Sequence, residues 1–230
     1  MLDANGYTTP RRGFLARLAA GSVALGLGAI PSPLRAAPLG STGRDGSSVP
    51  GPDEWLGGVK GKHRQVLDAV SVNNGMSLIW SMVFLNTHNQ ASKLADRDLS
   101  AVTVLRHDAI PIGFTDPIWE KYKLGEAFNV TDPATKKPAL RNPYYHPHQG
   151  ELMLPGMEVE ALLGRGVIFG VCNLATTLFS GMRADAIGVP KDEAYKEWVA
   201  GLVPGMTLVP SGIWAVNNAQ EHGCSYAYAG

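Results

Sequence analysis

Cys172 stands between an apolar run, Val167-Ile168-Phe169-Gly170-Val171, and a stretch from Leu174 to Met182 that reads as a helix. A thiol at a strand-to-helix junction meets unpaired N–H groups and the positive end of the helix dipole. Both favour a thiolate or a persulfide anion. The alternative role is a small buried hydrophobe, because free cysteine packs as one. His107 closes a second apolar run, Ala101-Val102-Thr103-Val104-Leu105, and precedes Asp108. Its imidazole could hold a thiolate or accept a proton, with Asp108 orienting the ring. The alternative is a surface histidine in a turn. Asn73 and Asn74 follow a third run and would join the same rim, or simply serve as turn and cap residues. His146-Pro147-His148, taken with His107, could bind a transition metal or a haem. The alternative there is a polar loop that covers a crevice or lines a subunit contact.

These residues need elements to position them. The spacing predicts strands at 66–72, 101–105, 167–171, 206–210 and 225–228. It predicts helices at 76–88, 118–124, 157–163, 174–182, 192–200 and 213–221, with a proline-rich loop at 129–150. Strand and helix alternate throughout, which points to a three-layer α/β domain with a mainly parallel sheet. The strands are apolar on both faces, as a doubly covered sheet requires. In such a sheet the carboxyl ends of the strands form the ligand crevice. Cys172 and His107 both fall there. Trp119, Tyr122 and Phe128 are read as core or interface residues rather than a ligand cage. Cys224 opens the last strand at the opposite edge from Cys172, so two free thiols are expected. Their spacing matches no zinc pattern.

The N-terminus carries Arg11-Arg12, then an uncharged apolar stretch from Leu18 to Ile30, then Pro31, Pro33 and Ala36-Ala37. Basic, apolar and small-residue zones in that order form a signal peptide, and the paired arginines mark the twin-arginine type. Residues 1–36 are assigned to it, and the mature protein to the periplasm. Residues 37–62, rich in Gly, Ser, Pro and charge, read as a flexible leader. The folded domain is drawn at 63–230. Removing 1–36 leaves 16 basic and 19 acidic residues, which is not the balance of a nucleic-acid binder. No later stretch is long and apolar enough to span a membrane.

The C-terminal half resembles the DsrE/DsrF-like family of small sulfur-handling proteins. Three segments carry the resemblance: Gly166 to Ala175 with its strand, cysteine and helix, Leu202-Val-Pro-Gly-Met-Thr-Leu-Val-Pro-Ser-Gly212, and Gln220-Glu-His-Gly-Cys-Ser-Tyr-Ala227. The likeness extends over roughly residues 64–229, the earlier half by element order. It implies a five-stranded flavodoxin-like sheet, assembly into a homo-oligomer, and sulfur carried as a persulfide at the position of Cys172, with His107 assisting. The chain would then be a sulfur carrier or sulfurtransferase handing sulfur to a periplasmic protein. It departs from the small cytoplasmic members in its export signal and in an insertion at about 111–165. Two other readings stay open. One is a non-catalytic interaction and oligomerisation protein. The other is a periplasmic metal or haem binder using His107, His146 and His148. The residues name no cofactor.

Overall fold

A computed structural model describes residues 52–230. The expected signal peptide, 1–36, and the leader up to residue 51 lie outside the described residues. The boundary drawn at 63 needs correction. Pro52–Trp55 form a helical turn, α1, and Trp55 and Leu56 are buried in a core shared with Val66, Val102 and Val104. The Gly, Pro and charged residues around this pair set the composition of the segment. Two apolar side chains set its packing.

The elements that follow are β1 (His63–Ser71), α2 (Met76–Ala91), β2 (Leu99–Asp108), α3 (Asp116–Tyr122), α4 (Leu124–Ala127), α5 (Val159–Gly164), β3 (Ile168–Cys172), α6 (Asn173–Ile187), α7 (Lys191–Ala200), β4 (Thr207–Val209), α8 (Gly212–Glu221) and β5 (Ser225–Tyr228). The five strands form one parallel sheet in the order β4-β3-β2-β1-β5. Helices cover both faces, so the domain is a three-layer, flavodoxin-like α/β fold. Among the described residues no helix is long and apolar enough to cross a membrane.

The two layers follow from side-chain alternation along the strands. Leu67, Ala69, Ala101, Leu105, Phe169 and Val171 belong to the larger core with α2 and the segment between β2 and β3. Val66, Val102, Val104 and Val209 meet Ala215, Val216 and Ala219 of α8, together with Trp55 of α1. Gly170 makes that second contact close. A Cβ there would lie 2.8 Å from the Trp55 ring and 3.2 Å from Val209, so any side chain would push α1 off the sheet. Thr103 is a polar residue inside β2. Its hydroxyl pairs with Ser81 of α2 at 2.7 Å, which removes the cost of burying it unpaired.

The expected insertion is part of the core. Trp119 and Tyr122 of α3 are fully buried. Trp119 donates its indole N–H to the Pro111 carbonyl at 3.0 Å. Phe114 and Tyr122 meet Trp198 of α7 edge-on, at 4.9 and 5.6 Å between centroids. The irregular stretch 129–150 is tied down by Asn142. That buried amide donates to the carbonyls of Ile112 and Phe114 and accepts from the N–H of Tyr144.

Candidate functional site

β3 passes into α6 without a loop, and Cys172 is the junction. It is extended (φ −66°, ψ 111°) and caps the helix, its Sγ accepting from the Ala175 N–H at 3.4 Å. Thr176 donates to the Cys172 carbonyl at 2.9 Å, which fixes the first turn. The thiol is 5% exposed. On one side of β3, Cys172 pairs with Val209 of β4. The chain there turns through Ser211, whose hydroxyl caps α8 by accepting from the Trp214 N–H at 3.2 Å. The amino ends of α6 and α8 thus open at neighbouring strand ends on the carboxyl edge of the sheet.

On the other side, Leu105 of β2 pairs with Val171, and Arg106 is the next residue of β2 after that pair. Arg106 grips Asp68 of β1 with two hydrogen bonds, from Nε at 2.6 Å and from Nη2 at 3.0 Å. Asp68 is almost fully buried and also accepts from the Tyr226 hydroxyl of β5 at 3.0 Å. Gly212, the first residue of α8, lies directly on the arginine stem. A Cβ there would stand 2.4 Å from the Arg106 Cβ, so only glycine fits. The hydrogen bonds it donates to Asp68 raise the guanidinium above its ordinary value against the opposing effect of burial, with smaller contributions from Tyr226 and Cys172. Burial, then the bond to Asp68, raises the Tyr226 phenol.

The strand order therefore sets Cys172, Arg106, Asp68 and Tyr226 on four successive strands, β3-β2-β1-β5. The last three are absent from the sequence reading. The signals were present in outline: one carboxylate inside Val66-Leu67-Asp68-Ala69-Val70, one cation directly after an apolar strand, and the tyrosine of the Gln220–Ala227 motif.

His107, the residue before the end of β2, lies in the left-handed region, φ 51°. Its Nδ1 stands 3.2 Å from Asp108, the orienting contact the sequence suggests. The ring is exposed and meets Phe179 of α6 edge-on at 6.2 Å. Among the described residues no hydrogen bond or ion pair joins it to Cys172. Asn73 and Asn74 turn the chain after β1 with φ of 36° and 52°. Asparagine tolerates this left-handed region, so the pair fits the turn role the sequence suggests. His146 stands 3.4 Å from Glu160 and packs on Tyr145, and the His148 N–H donates to Glu151 at 2.6 Å. Among the described residues no three His, Cys, Asp or Glu side chains gather to hold a metal ion. His107, His146 and His148 each keep a separate carboxylate neighbour and form no shared centre.

Both cysteines are free and buried. Burial pushes the Cys224 thiol up, with Arg64 acting against it. Two surface cavities lie away from Cys172. One, of about 310 Å³, runs between Trp80 and Phe84 of α2 and Tyr228 of β5. The other, of about 390 Å³, is lined by Asn74, Tyr144 and Glu151. Neither hollow brings a thiol and a cation together as the strand ends do.

No protein-family model matches the chain, and no curated protein matches it. Among solved structures, a protein of unknown function, MTH1491 from Methanobacterium thermoautotrophicum, is similar at 16% identity. It covers 73% of this chain and 99% of its own, with a TM-score of 0.38.

Proposed function

We propose that this chain is an exported DsrE-like protein that carries sulfur as a persulfide on Cys172. The observation that supports it is the junction itself. A lone thiol caps a long helix at the carboxyl edge of a parallel sheet, and the neighbouring strand carries Arg106, a cation fixed by Asp68. In the loading step the Cys172 thiolate attacks the outer sulfur of a donor such as thiosulfate. The new S–S bond forms, the donor's S–S bond breaks, and sulfite leaves with the bonding pair. No net oxidant is needed. Delivery to an acceptor thiolate is the same exchange in reverse sense. His107 sits on the same edge and would serve an incoming donor or partner. The twin-arginine segment would deliver the folded domain to the periplasm.

The test is intact-mass analysis of exported protein before and after polysulfide or thiosulfate. One added sulfur on the wild type is expected, with removal of residues 1–36 or a residue nearby. Cys172→Ser should lose the added sulfur completely. Equal loading of Cys172→Ser would overturn the proposal.

A second reading, an interaction and oligomerisation protein, is favoured by one observation on α6. Leu174, Leu178 and Met182 recur every fourth residue and are 65%, 59% and 56% exposed. They form an apolar stripe that starts two residues beyond Cys172. Self-association through that stripe is compatible with sulfur carriage.

A further inference from the structure

We infer that Arg106, held by Asp68 and Tyr226, is the group that draws anionic sulfane-sulfur donors to Cys172. This rests on the sulfur-carrier reading and names its substrate class.

The argument starts from strand order. Arg106 on β2 lies between β1, which carries Asp68, and β3, which ends in Cys172. Its Nε and Nη2 are both taken by the carboxylate on the β1 side. Its Nη1 has no hydrogen-bond partner among the described residues. The side chain is 24% exposed against 4% for Asp68. The carboxylate is therefore the buried anchor, and the arginine is the partner that solvent reaches. A bidentate grip fixes the plane of a guanidinium. Tyr226 fixes the carboxylate in turn, and Gly212 lets the start of α8 press on the arginine stem. A lysine would offer one mobile point charge in place of this planar fork.

The chemistry needs such a group. Thiosulfate and polysulfides are anions, and attack by a thiolate brings like charges together. When the S–S bond of thiosulfate breaks, negative charge moves onto the departing sulfite. A cation already in place stabilises both stages without reorganising. A neutral donor gains nothing from it.

The test compares alkylation of Cys172 by iodoacetate, an anion, and by iodoacetamide, which is neutral and similar in size. It uses the full mature chain with Cys224→Ser, so that one thiol reports. Arg106→Gln should lower the iodoacetate rate about five- to tenfold relative to iodoacetamide, and Arg106→Lys should keep part of the preference. A loss of packing alone would move both reagents together. Because Arg106→Gln leaves Asp68 without its cation, the wild type supplies a second measurement. Its iodoacetate-to-iodoacetamide ratio should fall as salt is raised from about 0.01 M to about 1 M. A ratio unmoved by both salt and Arg106→Gln would overturn the inference, and so would a folded wild type whose Cys172 reacts with neither reagent. Persulfide loading is scored separately. Loading with an unchanged ratio removes the role of Arg106 and leaves the carrier reading standing. A changed ratio without loading removes the carrier reading and leaves Arg106 as the group that draws anions to the thiol.

Discussion

Asp68 is a carboxylate placed where its neighbours are Val66, Leu67 and Ala69, in a strand covered on both faces. It is tolerated because Arg106 and Tyr226 satisfy it. Removing one member of such a pair leaves the other partly buried without compensation. Asp68→Ala should therefore cost about 3 kcal/mol in urea unfolding at neutral pH. Tyr226→Phe, which leaves the ion pair intact, should cost about 1 kcal/mol. Equal and small losses from both would show that the pair carries no such strain. The position of Cys172 was legible in the sequence because it is set locally: an apolar strand before it and a helix after it. The Arg106–Asp68–Tyr226 group was not. Its members are 38 and 158 residues apart from Asp68, and only strand order brings them together.

The elements were legible almost throughout, because hydrophobic period and turn residues are properties of short windows. The two departures have physical causes. Trp55 and Leu56 pack against the sheet although their surroundings read as a solvated leader. The segment between β2 and β3 reads as an insertion, yet Trp119, Tyr122 and Asn142 make it a layer of the core. Residues 129–150 are therefore not a detachable loop. At α6 the exposed stripe gives a prediction of its own. Leu178→Asp places a charge in the middle of Leu174, Leu178 and Met182. Self-association should weaken at least about tenfold, while stability shifts by less than about 0.5 kcal/mol, as for other exposed positions. Light scattering after gel filtration reads the first, and a thermal melt the second. A wild type that stays monomeric at high concentration would remove the oligomer reading.

Across the whole molecule, carboxylates fix both local turns and distant segments. Arg165 holds Asp96 below its usual range, and Lys121 with Tyr122 does the same for Glu197. The Thr135 N–H holds Asp132 down against its burial. For Glu151, burial acts upward, but Arg141 and the His148 N–H bring the net value down. Each of these groups is more acidic folded than unfolded. Their contribution is complete above the ordinary values of 3.8 and 4.5 and is lost as pH falls through the folded ones. The melting temperature should therefore hold between about pH 7 and about pH 5 and drop below about pH 4. A melting temperature unchanged down to about pH 2 would contradict this, and circular dichroism across that range measures it.

The position of β5 has a consequence in time. Among the described residues β1 is the first strand made, yet one of its two neighbours is the last. At the pace of the ribosome, about 5–20 residues per second, Arg106 follows Asp68 within roughly 2–8 s. Tyr226 follows only after roughly 8–30 s. During that interval one edge of β1 stays open and the Asp68 carboxylate lacks its phenol. The nascent chain must be kept from pairing that edge with another molecule until β5 arrives to close it.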